Sequence, residues 1–327
     1  MTKKRSELRV ACTIFCAFGA AWLNDAAAQA YPAKPIRIMV GFAAGGATDT
    51  SARMLAQKLT ETLGQPAVVE NRSGSGGLIA TEFVSKAAPD GYTLLMMAAA
   101  DSSQPALRTK MPYDLPGDFS PISLVVSGPF VLVIHTSIPA RTVAELVKLA
   151  RGANARLTYA SSGVGSSAHM MGELFNALAK IKTGHIPYKG VSQGVVAVAT
   201  GEVDLIFASI TAAQPLIESG KLKTLAVTKL KRTALMPNVP TMEESGVPGY
   251  DRTGWYGLMG PANLPRDIVT RLNATIVKVV NAPDMKAAFA KQGLEPDTNT
   301  PEQFTVLIKR EVEQNIALAR SAGIKSE

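Results

Sequence analysis

Serine, glycine and a single histidine crowd into one turn of the stretch LTYASSGVGSSAHMMGELF, residues 157–175. An apolar run stops at Ala160, and an amphipathic segment follows the turn. A helix starting there leaves its first N–H groups unpaired at the positive end of its dipole, where an anion is stabilised. Gly163 and Gly165 would let that anion approach the main chain, and Ser161, Ser162, Ser166 and Ser167 add hydroxyls. The same residues also suit an ordinary strand–helix turn, since serine caps helices and glycine relieves tight backbone. For this loop taken alone, both readings stand.

Three sharper chemistries can be tested on the same turn. GVGSSA, residues 163–168, satisfies the dinucleotide pattern G-x-G-x-x-A, which needs an acid about 20 residues on to hold the ribose. The stretch offered there, TGHIPYKG, has none. Ser166 and His169 are three residues apart and form a conceivable nucleophile pair, the basis of an alternative reading as an exported serine hydrolase or esterase. No G-x-S-x-G elbow supports it, and no acid is evidently placed to orient the imidazole. Beyond residue 30 the histidines are His135, His169 and His185, without metal-ligand spacing. No catalytic residue, metal site or cofactor is expected.

Other loops have the same character. GFAAGGATDT, residues 41–50, follows an apolar run. Gly45 and Gly46 can turn N–H groups outward, Thr48 or Asp49 can cap a helix, and Phe42 and Ala43 offer an apolar flank. It is not a phosphate-binding P-loop, because no lysine lies between Lys34 and Lys58. NRSGSGG, residues 71–77, contains Arg72, read as shaping the loop rather than serving a ligand. AAADSSQPAL, residues 98–107, contains Ala99 and Asp101; the carboxylate would repel an anion and is read mainly as a local cap. Several helix starts without a credible nucleophile suit binding more than catalysis.

The first thirty residues have a different composition. Lys3, Lys4, Arg5 and Arg9 are followed by an apolar stretch over 10–23 and by Ala28-Gln29-Ala30. This is the pattern of a secretory signal cleaved after Ala30, its apolar part shorter than the ~20 residues a membrane span needs. Both cysteines, Cys12 and Cys16, fall inside it, so the mature chain has no thiol chemistry. Removing four basic and two acidic residues from 34 and 26 leaves 30 and 24, a net +6. Aromatic residues make up 6% and no basic run interleaves with them, which argues against nucleic acid. The remaining length suggests two domains at ~150 residues each.

Something must hold these loops in place, and the apolar pattern says what. Short β-type runs over 36–40, 67–70, 92–97, 157–160, 203–208 and 224–227 alternate with helical patterns such as 51–63, 78–87 and 142–151. Continuous apolar strands between helices predict an α/β fold of mainly parallel sheets covered on both faces. From Pro265 on, the pattern is wholly helical, and Thr300-Pro301-Glu302-Gln303 is a capping-box start for the last helix. Two lobes without a linker imply crossings by ordered chain, near 122–134 and 249–257. In such sheets ligands bind beyond the carboxyl ends of strands, where all four loops fall.

Together, YPAKPIRIMVGFAAGGATDTSARMLAQKL, VVENRSGSGGLIATEFVSKAAPDGYTLL, YASSGVGSSAHMMGELF and IPYKGVSQGVVAVATGEVDLIF resemble the Bug-type receptors of tripartite tricarboxylate transporters, in order and spacing. The resemblance implies a periplasmic solute-binding protein of the two-lobed, type II-like Venus-flytrap kind. Lobe 1 would be residues 31–128 plus 252–327, and lobe 2 residues 129–251. It implies a monomer that takes a small organic carboxylate and delivers it to membrane permease subunits, or to a sensor protein. By the same resemblance, Phe42, Ala43, Gly45, Gly46, Thr48 and Asp49 from one lobe and Ser161, Ser162, Gly165, Ser166, Ser167 and His169 from the other pinch the carboxylate. Ala99, Asp101 and Ser209 would meet its distal part. Where common members carry hydroxyls, this chain has Ala98-Ala99-Ala100. A less polar distal pocket is therefore expected, suiting an aromatic or longer aliphatic carboxylate.

Overall fold

The computed structural model describes residues 31–152 and 156–324. The expected signal segment, its cleavage site and both cysteines lie outside the described residues.

Two mixed sheets, each flanked by helices, build the two-lobed molecule. The first begins with β1 (Ile36–Val40), helix α1 (Ala47–Leu63), β2 (Ala67–Asn71), α2 (Leu78–Ser85) and β3 (Thr93–Ala98). A 3-10 turn, Ala99–Ser103, and the short α3 (Gln104–Leu107) lead to β4 (Phe119–Gly128). The chain then enters the second sheet: β5 (Phe130–His135), α4 (Val143–Ala150), β6 (Thr158–Ser161), α5 (Ser167–Ala179) and β7 (Gly184–Pro187). It continues through α6 (Val191–Ala199), β8 (Leu205–Ser209), α7 (Ile210–Glu218) and β9 (Leu222–Val227). β10 (Gly254–Pro261) returns to the first sheet, followed by α8 (Arg266–Val280), α9 (Pro283–Lys291), β11 (Glu295–Pro296) and α10 (Pro301–Ser321).

The strand orders are β11-β4-β10-β3-β1-β2 and β7-β6-β8-β5-β9. β1 is parallel to β2 and β3, and β6 to β7 and β8. Most strands in each sheet share one direction, as expected, and the sheets are mixed. β10 runs antiparallel to β3 and β4, and β5 antiparallel to β8 and β9. A strand that has just crossed from the other lobe enters its sheet from the opposite end, so its direction is reversed. Burial on both faces makes such a strand as continuously apolar as a parallel one, and composition does not distinguish the two. The C-terminal part departs from the all-helical expectation, since β11 pairs with Ser127 and Val126 of β4.

The cores explain the strand composition. Ile36, Ile38 and Val40 of β1 pack with Leu55 and Leu59 of α1 and with Leu272 and Ile276 of α8. In the second sheet, Leu132 and Ile134 of β5 pack with Phe175, Phe207 and Tyr250. Helix boundaries follow their caps. Thr300 Oγ1 accepts from Gln303 N while the Gln303 side chain accepts from Thr300 N, the reciprocal pair expected at the start of α10.

Candidate functional site

β4 and β5 sit in different sheets with only Pro129 between them, so the sheets face one another across a short crossover. Between the carboxyl ends of their strands lies a cleft of about 430 Å³. Residues from both sheets line it.

Strand order sets the sequence of loops along the cleft. Nearest the crossover are Phe130 of β5 and Gly254, Trp255 and Tyr256 of β10. One strand further out are Ala98, Ala99 and Ala100 after β3 and Ser209 at the end of β8. Next come Phe42, Ala47 and Thr48 after β1, facing Ser162, Val164, Gly165, Ser166, Ser167 and Ala168 after β6. Outermost are Gly76 after β2, and Lys189 and Val191 after β7.

The loop after β1 is held from behind. Asp49, 2% exposed, accepts from Gly45 N at 2.9 Å, from Arg53 Nε at 3.0 Å and from Asn71 Nδ2 at 2.9 Å. Asn71 also donates to Phe42 O. Burial alone would raise the Asp49 carboxyl, but Arg53, the Gly45 N–H and Asn71 outweigh it and keep the pKa below the usual carboxylate range. Gly45 adopts a φ of 82°, which lets its N–H turn back to this carboxylate. Neither Thr48 nor Asp49 caps α1. Gly46 is the N-cap and no side chain bonds there, so the N–H groups of Ala47 and Thr48 open toward the cleft without a helical acceptor.

The loop after β6 is held by imidazoles. Gly165 N donates to His169 Nδ1 at 3.0 Å, and Ser166 Oγ accepts from His169 N as the cap of α5. Ser161 Oγ lies 2.6 Å from His185 Nε2, and the His169 and His185 rings stack with centroids 4.0 Å apart. Burial pushes His169 down to about 4, and burial together with its histidine neighbour does the same to His185. A neutral His169 that accepts at Nδ1 carries its proton on Nε2. Its ring therefore orients the loop main chain. The Ser–His contact runs from a backbone N–H to the hydroxyl, not from the hydroxyl to the ring, which is not the bond of a nucleophile pair.

Of the residues expected at the site, the cleft lining includes Phe42, Thr48, Ala99, Ser162, Gly165, Ser166, Ser167 and Ser209. Ala43, Gly45, Gly46 and Ser161 shape the loops without lining the cleft, and Asp49 and His169 act from beneath. Asp101 is buried behind the lining: its Oδ2 accepts from Ala98 N at 2.8 Å, and burial raises its pKa to about 7. Arg72 pairs with Glu70 and lies over the Phe83 ring, away from the cleft. Sequence reasoning missed Lys189, Gln104, Phe130 and Tyr256. The YKG turn after β7 sits at the same sheet end as the serine loop, a signal that could have found Lys189.

Three kinds of comparison agree. A family model described as the tripartite tricarboxylate transporter family receptor matches residues 51–324. The chain is 35% identical to Protein BugT of Bordetella pertussis over 303 residues, 91% of this chain and 92% of that protein. A solved structure from R. palustris with adipate superposes with a TM-score of 0.78 at 33% identity, covering 91% of this chain and 100% of the other. MatC from Rhodopseudomonas palustris with bound malate gives 0.74 at 30%, covering 88% and 99%.

Proposed function

The chain belongs to the tripartite tricarboxylate transporter receptor family, and on that premise we propose that it captures a small organic carboxylate between its lobes in the periplasm. It delivers that ligand to the membrane subunits of a tripartite permease and performs no catalysis itself. The lobes are residues 31–128 with 252–327, and 129–251, and the receptor acts as a monomer after export. Alternation of the strands between sheets at 128–130 and 249–254 supports these bounds. The basic and apolar start of the sequence supports export.

One observation carries the reading: two helix N-termini from different sheets, at Thr48 and at Ser166-Ser167, line the same cleft. A carboxylate between them meets two partial positive charges and the unpaired N–H groups of both helices. Micromolar binding requires about −8 kcal/mol. Hydrogen bonds to a charged group contribute roughly 1.5–3 kcal/mol each. About four of them supply roughly 6–12 kcal/mol, enough to reach the requirement before association and closure are charged against it. The adipate- and malate-bound relatives support the ligand class.

Ligand recovered from the purified protein by denaturation and identified by mass spectrometry tests the reading. A small organic carboxylate near one equivalent is expected. Steady turnover of an activated ester that is lost in Ser166→Ala and kept in a remote variant would overturn it.

A further inference from the structure

The cleft is electrically lopsided. Among the described residues lining it, Lys189 is the one with a charged side chain, and it sits at the outer end, after β7. With strands about 4.8 Å apart, Lys189 lies one strand beyond the serine loop and roughly 10 Å from the β8 position of Ser209.

The opposite end is different. The inner wall is Phe130, Trp255 and Tyr256 at the crossover, with Ala98-Ala99-Ala100 and Ser209 one strand further out. Of two buried acids on this side, Glu311 stands behind Trp255, while Asp101 lies under Ala98 with its Oδ1 turned to Gly77 before α2. Asp101 holds the main chain of Ala98, and its other oxygen, Oδ1, has no hydrogen-bond partner. Glu311 accepts from Trp255 Nε1 at 2.9 Å and lies 3.0 Å from Ser102 Oγ. The Trp255 indole N–H is therefore committed to the wall and unavailable to a ligand. Burial raises both pKa values, and the Arg252 and Arg310 guanidinium groups near Glu311 offset that burial only in part.

We propose that the cleft selects a monocarboxylate with an apolar tail, the carboxylate lying at the outer helix starts beside Lys189 and the tail against the alanine–aromatic wall. This rests on the receptor reading above and narrows its ligand class. A second carboxylate at the inner end would lose its water and meet no cation among the lining residues, and the Arg252 guanidinium behind the wall is already engaged with Glu311 and Asn315. Desolvating a charge without a partner is strongly unfavourable. A methyl or phenyl end covers the same wall at a gain.

Titration calorimetry of the ligand-free protein with hexanoate and adipate, a pair equal in carbon number, tests the proposal near neutral pH. Hexanoate is expected to bind at least tenfold more tightly. Lys189→Met should weaken both acids by a similar factor, since it acts on the shared carboxylate. Ala99→Lys, which brings an ammonium to the inner wall, should shift the ratio at least tenfold toward adipate. Adipate binding as tightly as hexanoate in the unaltered protein overturns the monocarboxylate assignment and leaves the receptor reading standing. Failure of both acids to bind removes the assignment, while carboxylate recovered from the native protein would still uphold the receptor reading.

Discussion

Asp49 and His169 shape the site from beneath, and each can be separated from ligand contact. Asp49→Asn removes the charge that gathers Gly45, Arg53 and Asn71. A loss of roughly 1–3 kcal/mol is expected, discounted toward the lower end because Arg53 is half exposed. Urea unfolding measures this loss, and calorimetry should show weaker ligand binding in the same variant. Ser167→Ala should weaken binding with stability unchanged. His169 and His185 give a pH signature. Their folded pKa values near 4 lie below the usual 6.5, so the unfolded chain takes up protons that the folded chain refuses. Stability from these groups is complete above pH 6.5 and falls as pH drops toward 4, by at most about 1.4 kcal/mol per pH unit for buried His169 and by less for the more exposed His185. Asp101 works the other way: raised from 3.8 to about 7, it stabilises most at acid pH and loses its contribution as pH rises to 7. Thermal melts of His169→Asn should therefore show a shallower decline from pH 6.5 to 4 than the unaltered protein. Residue types in the loops were legible, but orientation was not. Asp49 looks like a cap in sequence, but its carboxylate is turned to Gly45, Arg53 and Asn71, the last 22 residues away.

At the scale of elements, the helix starts and the glycines between them do the work. Gly165 lines the cleft with a φ of 76°, and a Cβ there would overlap Leu107 Cδ1 at the end of α3, across the cleft. Gly165→Ala is expected to keep the fold and weaken ligand binding at least tenfold by holding the lobes apart. Adding Leu107→Ala should restore part of the affinity, leaving the backbone strain of about 1 kcal/mol. Calorimetry on the single and double variants reads both. Thr300→Ala at the start of α10 should cost about 1 kcal/mol of stability with binding unchanged, since that cap lies away from the cleft. The elements themselves were largely readable. Continuous apolar runs and the 3.6-residue period gave β1, β2, β3 and α1 to within a few residues, because burial writes those patterns directly. β11 escaped, since two residues paired to β4 leave no period to detect. The antiparallel arrival of β5 and β10 escaped because direction within a buried sheet changes no side-chain burial.

Across the whole molecule, the two crossovers let the lobes move while other contacts tie them. Lys229 pairs with Glu295 at 2.6 Å, and the Thr233 hydroxyl donates to the same carboxylate. On the proposed reading, a carboxylate bridges the starts of α1 and α5, and closure and binding are then one equilibrium. The two-lobed plan was legible from the alternation of strands and helices and from the quoted motifs; the electrical asymmetry of the cleft was not, because it depends on which loops the strand order makes neighbours. The most direct measurement is a crystal structure with the bound carboxylate in place. Its oxygens should lie within about 3 Å, directly or through one water, of the main-chain N–H groups of Ala47 or Thr48 on one side and Ser167 or Ala168 on the other. A carboxylate found instead against Trp255 and Tyr256, with the two helix starts uncontacted, would contradict the account.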